Sequence, residues 1–253
     1  MGFRMHKVFV GTMRSIENEF ERSRVSLYEQ RHVSTGTYIV ENKPEHEAAR
    51  LLYSKWNAVK DYYDFFVQLD PDVVLAHPNV LFDACNLLTD NPQFTSLQAP
   101  LHDYLSDAEV MGLNVYSTRV DFNVPGSNLY TDRCTSNNVT LRPDNFKDFP
   151  ASLVPAGVHS PDPSPLQAYH YGVHRGLKQQ FARRRQVIEA CKLDPTLGRA
   201  MAVLGFEHSR NFVDGGFNYN DKKLSDMCEH AKNEYDVRLG ILKQTGNTGV
   251  WER

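Results

Sequence analysis

Asp70, Pro71 and Asp72 are the residues of this sequence whose types and spacing are best suited to chemistry. Two carboxylates one residue apart, on a chain leaving a strand, can both reach one hard divalent cation that keeps positions open for water and phosphate oxygens. Pro71 stiffens the backbone between them. The competing use of the same residues is local, with Asp70 capping a turn and Asp72 facing water. What precedes the triplet separates the two. Phe65, Phe66 and Val67 form a continuous apolar run, as expected of a strand buried on both faces. Such a strand delivers its last residues to the carboxyl edge of an open α/β sheet, where ligands bind.

The elements that must position this edge are legible upstream. Residues 7–10 read as a first strand ended by Gly11, and 37–40 as a second. Between them Ile16, Phe20, Ser23 and Leu27 recur at helical spacing behind Ser15 as N-cap. After Pro44, the stripe Ala48, Leu51, Leu52, Trp56 and Val59 gives a second helix its buried face. The third strand spans 62–69, and Pro78 suits the first turn of a helix with core residues Leu81, Ala84, Cys85 and Leu88. Alternation of this kind predicts βαβ units and a largely parallel sheet. From 91 to 165 the pattern is turn-rich, with strands at 114–120, 128–130 and 153–157. Helical spacing returns from Leu166 onward, through Val187, Ile188 and Cys191 to Leu224, Met227, Cys228 and Ala231. The predicted fold class is therefore α/β: a mixed, mainly parallel sheet flanked by helices, with a helical C-terminal extension. Residues 1–180 would form the main domain and 181–253 the extension packed on it.

Composition narrows the function classes. With 28 basic and 31 acidic side chains the formal charge is -3, so no global field recruits nucleic acid, and membrane contact is at most peripheral. Cys85, Cys134, Cys191 and Cys228 lie far apart without a C-x-x-C pair, the pattern of reduced thiols, which points to the cytoplasm. Val8, Phe9 and Val10 make too short an apolar stretch for a signal segment.

Two βα units followed by an apolar strand, D-x-D and a helix resemble the nucleotide-binding half of GT-A glycosyltransferases, particularly the large family-2-like group, over roughly residues 5–90. The resemblance implies a Rossmann-like GT-A fold in which residues 1–180 bind a nucleotide sugar. The expected reaction moves a sugar from a UDP- or GDP-linked donor to a saccharide or other glycoconjugate acceptor, as in polysaccharide assembly. Mn2+ or Mg2+, held by Asp70 and Asp72, would neutralise the diphosphate leaving group. By position, Thr12, Arg14 and Glu41 would line the nucleotide pocket together with Asp70, and His159 would complete the metal shell. Two features depart from the family pattern. Glu41, Asn42 and Lys43 replace its usual aspartates and serine, and no Glu-Asp pair follows Asp72. Asp132, Asp103 and Asp107 are the candidate bases in its place.

A Pro-rich loop over 159–165 leads into a helical stretch in which His170, His174 and Lys178 recur at i, i+4 and i+8, with Tyr171 and Arg175 alongside. This basic ridge offers His174, Arg175 and Lys178 to the donor's phosphates; the alternative is a solvated helix face. No Glu follows His170 and no cysteine is near, which argues against zinc on the histidine pair. Arg183, Arg184 and Arg185 extend the charge, and Glu207, His208 and a Gly-rich aromatic loop over 214–219 interrupt the later helices.

Two other classes compete. Asp70, Pro71, Asp72, Val73 and Val74 also satisfy the D-x-D-x-[TV] pattern of haloacid-dehalogenase-like phosphatases, in which Asp70 would be the nucleophile. That family carries the motif on its first strand, whereas here two βα units come first. A non-catalytic nucleotide-binding protein of the same fold is the other alternative. A dinucleotide enzyme is disfavoured because Gly11, Thr12, Met13 and Arg14 lack G-x-G-x-x-G.

Overall fold

The computed structural model describes residues 5–125, 131, 134–212 and 221–252. Its parallel half follows the apolar runs: β1 (His6–Arg14), β2 (Val33–Glu41) and β3 (Phe65–Gln68), with α1 (Phe20–Tyr28) and α2 (Glu45–Val59) between them in sequence. β1 is central, with Arg14 opposite Glu41 on one side and Gly11 opposite Gln68 on the other. Side chains alternate across it. Val8, Val10, Phe65 and Val67 pack with Leu27 of α1, while Phe9 and Phe66 pack with Leu52 and Trp56 of α2. The two helices thus cover opposite faces, and Val8, Phe9 and Val10 of β1 and Phe65, Phe66 and Val67 of β3 are apolar without interruption because neither face meets water there. Phe66 stacks on Trp56 at 5.3 Å between ring centroids; burying one such side chain stabilises by roughly 1.5–3 kcal/mol.

The chain continues through β4 (Val73–Leu75), α3 (Val80–Asp90), β5 (Ser96–Asp103), β6 (Ala108–Ser117), β7 (Asp121–Phe122), β8 (Thr135–Ser136), β9 (Thr140–Leu141) and β10 (Gly157–His159). The main sheet runs β2-β1-β3-β6-β5-β10-β4, with β9 beside β5, and β7 pairs separately with β8. β6 is antiparallel to β3, and β10 to β4. The remainder is helical: α4 (Pro165–Leu177), α5 (Phe181–Leu193), α6 (Leu197–His208) and α7 (Lys222–Thr245). The architecture is the mixed α/β fold with a helical C-terminal part that the pattern predicted.

Two units are distinguishable among the described residues. The first comprises the chain up to Ser15, Glu19–His102 and Glu109–Pro161. The second comprises Ile16–Asn18, Asp103–Ala108 and the chain from Asp162 on. All four cysteines are buried thiols outside any disulfide, and no described helix is long and apolar enough to cross a membrane.

Several boundaries differ from expectation. β1 runs through Gly11 to Arg14, because parallel partners on both sides continue the ladder past the glycine. α1 starts at Phe20 rather than behind Ser15. Asn18 instead donates from its backbone to Gln167 at 3.3 Å and from its side chain to the Asp162 carbonyl at 3.3 Å. Pro78 lies just before α3, whose N-cap is Asn79. Residues 153–157 are not a strand: a 3-10 turn covers Ala151–Leu153, and pairing begins only at Gly157. β5 was not anticipated, although Leu97, Ala99 and Leu101 alternate within it. The strand expected at 128–130 lies outside the described residues, as does the loop at 214–219.

Close approach explains two glycines in the second unit. A Cβ on Gly172 of α4 would stand 2.0 Å from the Ala202 carbonyl oxygen of α6, and one on Gly205 of α6 would stand 2.2 Å from the Tyr169 carbonyl oxygen of α4. Alanine at either position gains about 1 kcal/mol of helix propensity, but overpacking against backbone costs roughly 1–3 kcal/mol or more. Gly205→Ala is therefore expected to lower the unfolding free energy measured in urea. An unchanged or raised midpoint would mean that the two helices do not cross this closely.

Candidate functional site

The carboxyl edge of the parallel strands gathers the residues with chemical potential in the first unit. In a sheet ordered 2-1-3, the connections leaving β1 and β3 diverge, and ligands of open α/β folds bind at that switch point. Thr12 and Arg14 end β1, Glu41 ends β2, and Asp70 and Asp72 follow β3. Thr12 is buried. Arg14 Nη1 meets Glu41 Oε1 at 2.8 Å, and its guanidinium lies 4.0 Å from the Phe20 ring centroid. Both partners are substantially exposed, so the pair is worth at most about 1 kcal/mol.

The D-P-D turn is shaped by the strands around it. Leu69 N–H donates to the Gly11 carbonyl at 3.1 Å, extending the β1–β3 ladder to the motif, and Val73 N–H donates to the Asp70 carbonyl at 3.1 Å, turning the chain into β4. β4 then pairs with β10, with Val73 opposite His159 and Leu75 opposite Gly157. Gly157 permits this approach, since a Cβ there would stand 2.6 Å from the Val74 carbonyl oxygen. The register brings three polar residues together. His159 Nε2 is 3.5 Å from Asp72 Oδ2, with side chains only 12% and 14% exposed. Ser160 Oγ–H donates to the same Asp72 oxygen at 2.7 Å, and Ser160 N–H donates to the Asp72 carbonyl at 2.8 Å.

These residues are chemically suited to a hard divalent cation. An ion with bonds of about 2.1 Å and octahedral angles separates neighbouring ligands by about 3 Å, so the Asp72–His159 spacing needs only a small contraction. No group of three or more His, Cys, Asp or Glu side chains is assembled as a metal cage among the described residues. The hydroxyl held on Asp72 is the kind of outer-shell contact that orients a ligating carboxylate.

The other predicted residues lie elsewhere. Asp132 is outside the described residues. Asp103, at the end of β5, is fully buried. Its Oδ2 accepts from Ser106 N–H at 3.1 Å, from Ser106 Oγ–H and from Tyr171 O–H at 3.0 Å, and Arg183 in turn donates to Ser106 Oγ at 2.9 Å. Three donors on one oxygen and no exposed surface make Asp103 the centre of a buried polar knot. Tyr171 faces into this knot rather than along a solvent ridge, and burial, followed by the Asp103 charge, raises its phenol pKa. Asp107 adopts a left-handed turn conformation at φ 47°.

His174, Arg175 and Lys178 belong to α4 and its C-cap in the second unit. The His170 and His174 rings stack 5.8 Å apart, and Arg175 lies over Tyr171 at 5.1 Å while donating to Gln180. Burial, then repulsion by Lys178, His170 and Arg175, holds the His174 pKa well below the ordinary histidine value. His174 is therefore neutral at pH 7 and adds nothing to the positive charge of Arg175 and Lys178. Unfolding frees the imidazole to bind a proton below its unfolded pKa of about 6.5, so the unfolded state takes up more protons and stability falls as pH drops from there, by up to about 1.4 kcal/mol per pH unit. Replacing His174 with Gln should flatten the decline in unfolding free energy between pH 6.5 and 5. An identical slope in the variant would remove His174 from the acid sensitivity.

No protein-family model matches the chain, and no curated protein sequence matches it significantly. Among solved structures, it is similar to the mannosyltransferase PcManGT from Pyrobaculum calidifontis, determined in complex with GDP-Man and Mn2+. That likeness spans 95% of this chain and 87% of that one, at 12% sequence identity and a TM-score of 0.42.

Asp72 and His159 stand out in the sequence as candidates, but what brings them to 3.5 Å of each other does not. Ser160 and Gly157 carry no signal as isolated residues, and their roles emerge only from the β4–β10 register.

Proposed function

We propose that this chain is a metal-dependent glycosyltransferase of the GT-A kind, taking a UDP- or GDP-linked sugar donor and a saccharide or glycoconjugate acceptor. The observation that carries this reading is the pairing of Asp72 with His159, backed by Ser160, in the turn that leaves the parallel strand β3. Asp72 and His159, with Asp70 one residue away on the same turn, would hold Mn2+ or Mg2+. When bound, such a cation neutralises charge developing on a diphosphate leaving group. Thr12, Arg14 and Glu41 would face the nucleoside, with Arg14 fixed by Glu41 and the Phe20 ring before any ligand arrives.

The test is ligand-linked stability. A ligand that binds only the folded state at 100 times its dissociation constant stabilises by about 2.7 kcal/mol. Mn2+ together with GDP or UDP should raise the unfolding midpoint by several degrees, and either component alone should do much less. A midpoint indifferent to Mn2+ with every nucleoside diphosphate would overturn the proposal.

A further inference from the structure

We infer that Ser160 is a positioning residue for the cation, holding the Asp72 carboxylate in its ligating orientation; this rests on the metal site proposed above. Three observations on the same residue converge. Its hydroxyl donates to Asp72 Oδ2 at 2.7 Å, the oxygen that stands nearest His159 Nε2. Its backbone N–H donates to the Asp72 carbonyl at 2.8 Å, so main chain and side chain of the aspartate are gripped by one residue. Its backbone has φ 49°, a left-handed conformation that glycine adopts without strain and serine does not.

If this position served only to turn the chain at the end of β10, glycine would serve it better, because glycine meets the same φ without the Cβ conflict. What serine adds is the hydroxyl, and that hydroxyl is 2% exposed with the rest of its residue and directed at Asp72. An ionised carboxylate has capacity for several partners. A hydrogen bond to Oδ2 therefore leaves room for a cation while removing rotational freedom of the group. Asp72 then meets the cation in one orientation, and the ordering cost of binding is reduced.

The experiment measures Mn2+ affinity and metal-free thermal stability on the full chain. Free Mn2+ can be followed by electron paramagnetic resonance, with the unfolding midpoint measured in chelator. Ser160→Gly should bind Mn2+ roughly tenfold more weakly, within the 10–100-fold range seen for outer-shell partners of metal ligands. Its metal-free midpoint should be unchanged or raised. Val158→Ala, which loosens the same strand opposite Val74 without touching the hydroxyl, should lower the midpoint and leave Mn2+ affinity as in the wild type. Wild-type affinity in Ser160→Gly overturns the inference while leaving the metal site standing. Equal loss of affinity in Val158→Ala overturns it too, since Ser160 would then act only through the integrity of the strand. A wild-type chain that binds no Mn2+ either alone or with GDP or UDP overturns the metal site itself, and the role of Ser160 with it.

Discussion

Asp72→Asn is expected to abolish Mn2+-dependent binding of a nucleoside diphosphate, with Mn2+ affinity falling at least about 100-fold, beyond what loss of an outer-shell contact usually costs. The substitution is nearly isosteric. It removes the negative charge that a hard cation requires of its ligand, yet the amide oxygen can still accept the Ser160 hydroxyl, which the carboxylate holds at 2.7 Å. The net cost to folding should therefore stay near the 0.5–1.5 kcal/mol of an altered hydrogen bond. Separation of the two effects is the point of the experiment. Binding lost with folding retained assigns Asp72 to the ligand, and nucleotide binding at wild-type strength would remove it from the site.

The largest effect on stability is expected at Arg238, in the middle of α7. Its side chain is 5% exposed and forks onto Glu207, with Nη2 to Oε2 at 2.7 Å and Nη1 to Oε1 at 3.3 Å. It also donates through Nε to Glu234 at 3.1 Å and through Nη1 to the Val250 carbonyl at 3.1 Å. One guanidinium thus ties α6, α7 and the C-terminal segment into a single polar centre within the second unit. His208 extends the network, with its ring meeting Tyr169 at 3.0 Å and Glu234 at 3.4 Å. Arg238→Met keeps the apolar stem but leaves the carboxylate of Glu207, 12% exposed, without its cation. Removing one partner of such a buried pair costs about 3–5 kcal/mol, a fall in midpoint on the order of 10 °C. Adding Glu207→Leu should restore part of the loss, because an apolar replacement of the whole pair is often tolerated. A single variant that unfolds within 1 kcal/mol of the wild type, read from calorimetry, would mean that water already reaches the centre.

The legibility of this molecule in its sequence follows the length of its elements. Strands buried on both faces and helices with an apolar stripe announce themselves, which is why β1, β2, β3 and α2 and the acidic motif behind them were readable. β5 was not, because Pro100 sits inside its Leu97, Ala99, Leu101 alternation, and a proline inside a run argues against a strand. Within the fold, Pro100 still contributes its carbonyl to Ala156 N–H at 2.8 Å. β4 and β10 have three residues each, too few to display a period. Their pairing alone brings His159 and Ser160 to Asp72, and it emerges only when distant segments fold together. Asp103 illustrates the converse. A carboxylate at a strand end reads as a candidate base, but Tyr171 and Ser106 occupy it, and neither contact leaves a trace in local sequence.

The central claim is that Asp72 and His159 share one divalent cation. Crystals grown with Mn2+ and GDP or UDP, measured at a wavelength where manganese scatters anomalously, address it directly. The account predicts an anomalous peak within bonding distance of Asp72 and His159, with the diphosphate on its open side. A nucleotide bound with no peak between those residues, or a peak elsewhere in the chain, would contradict it.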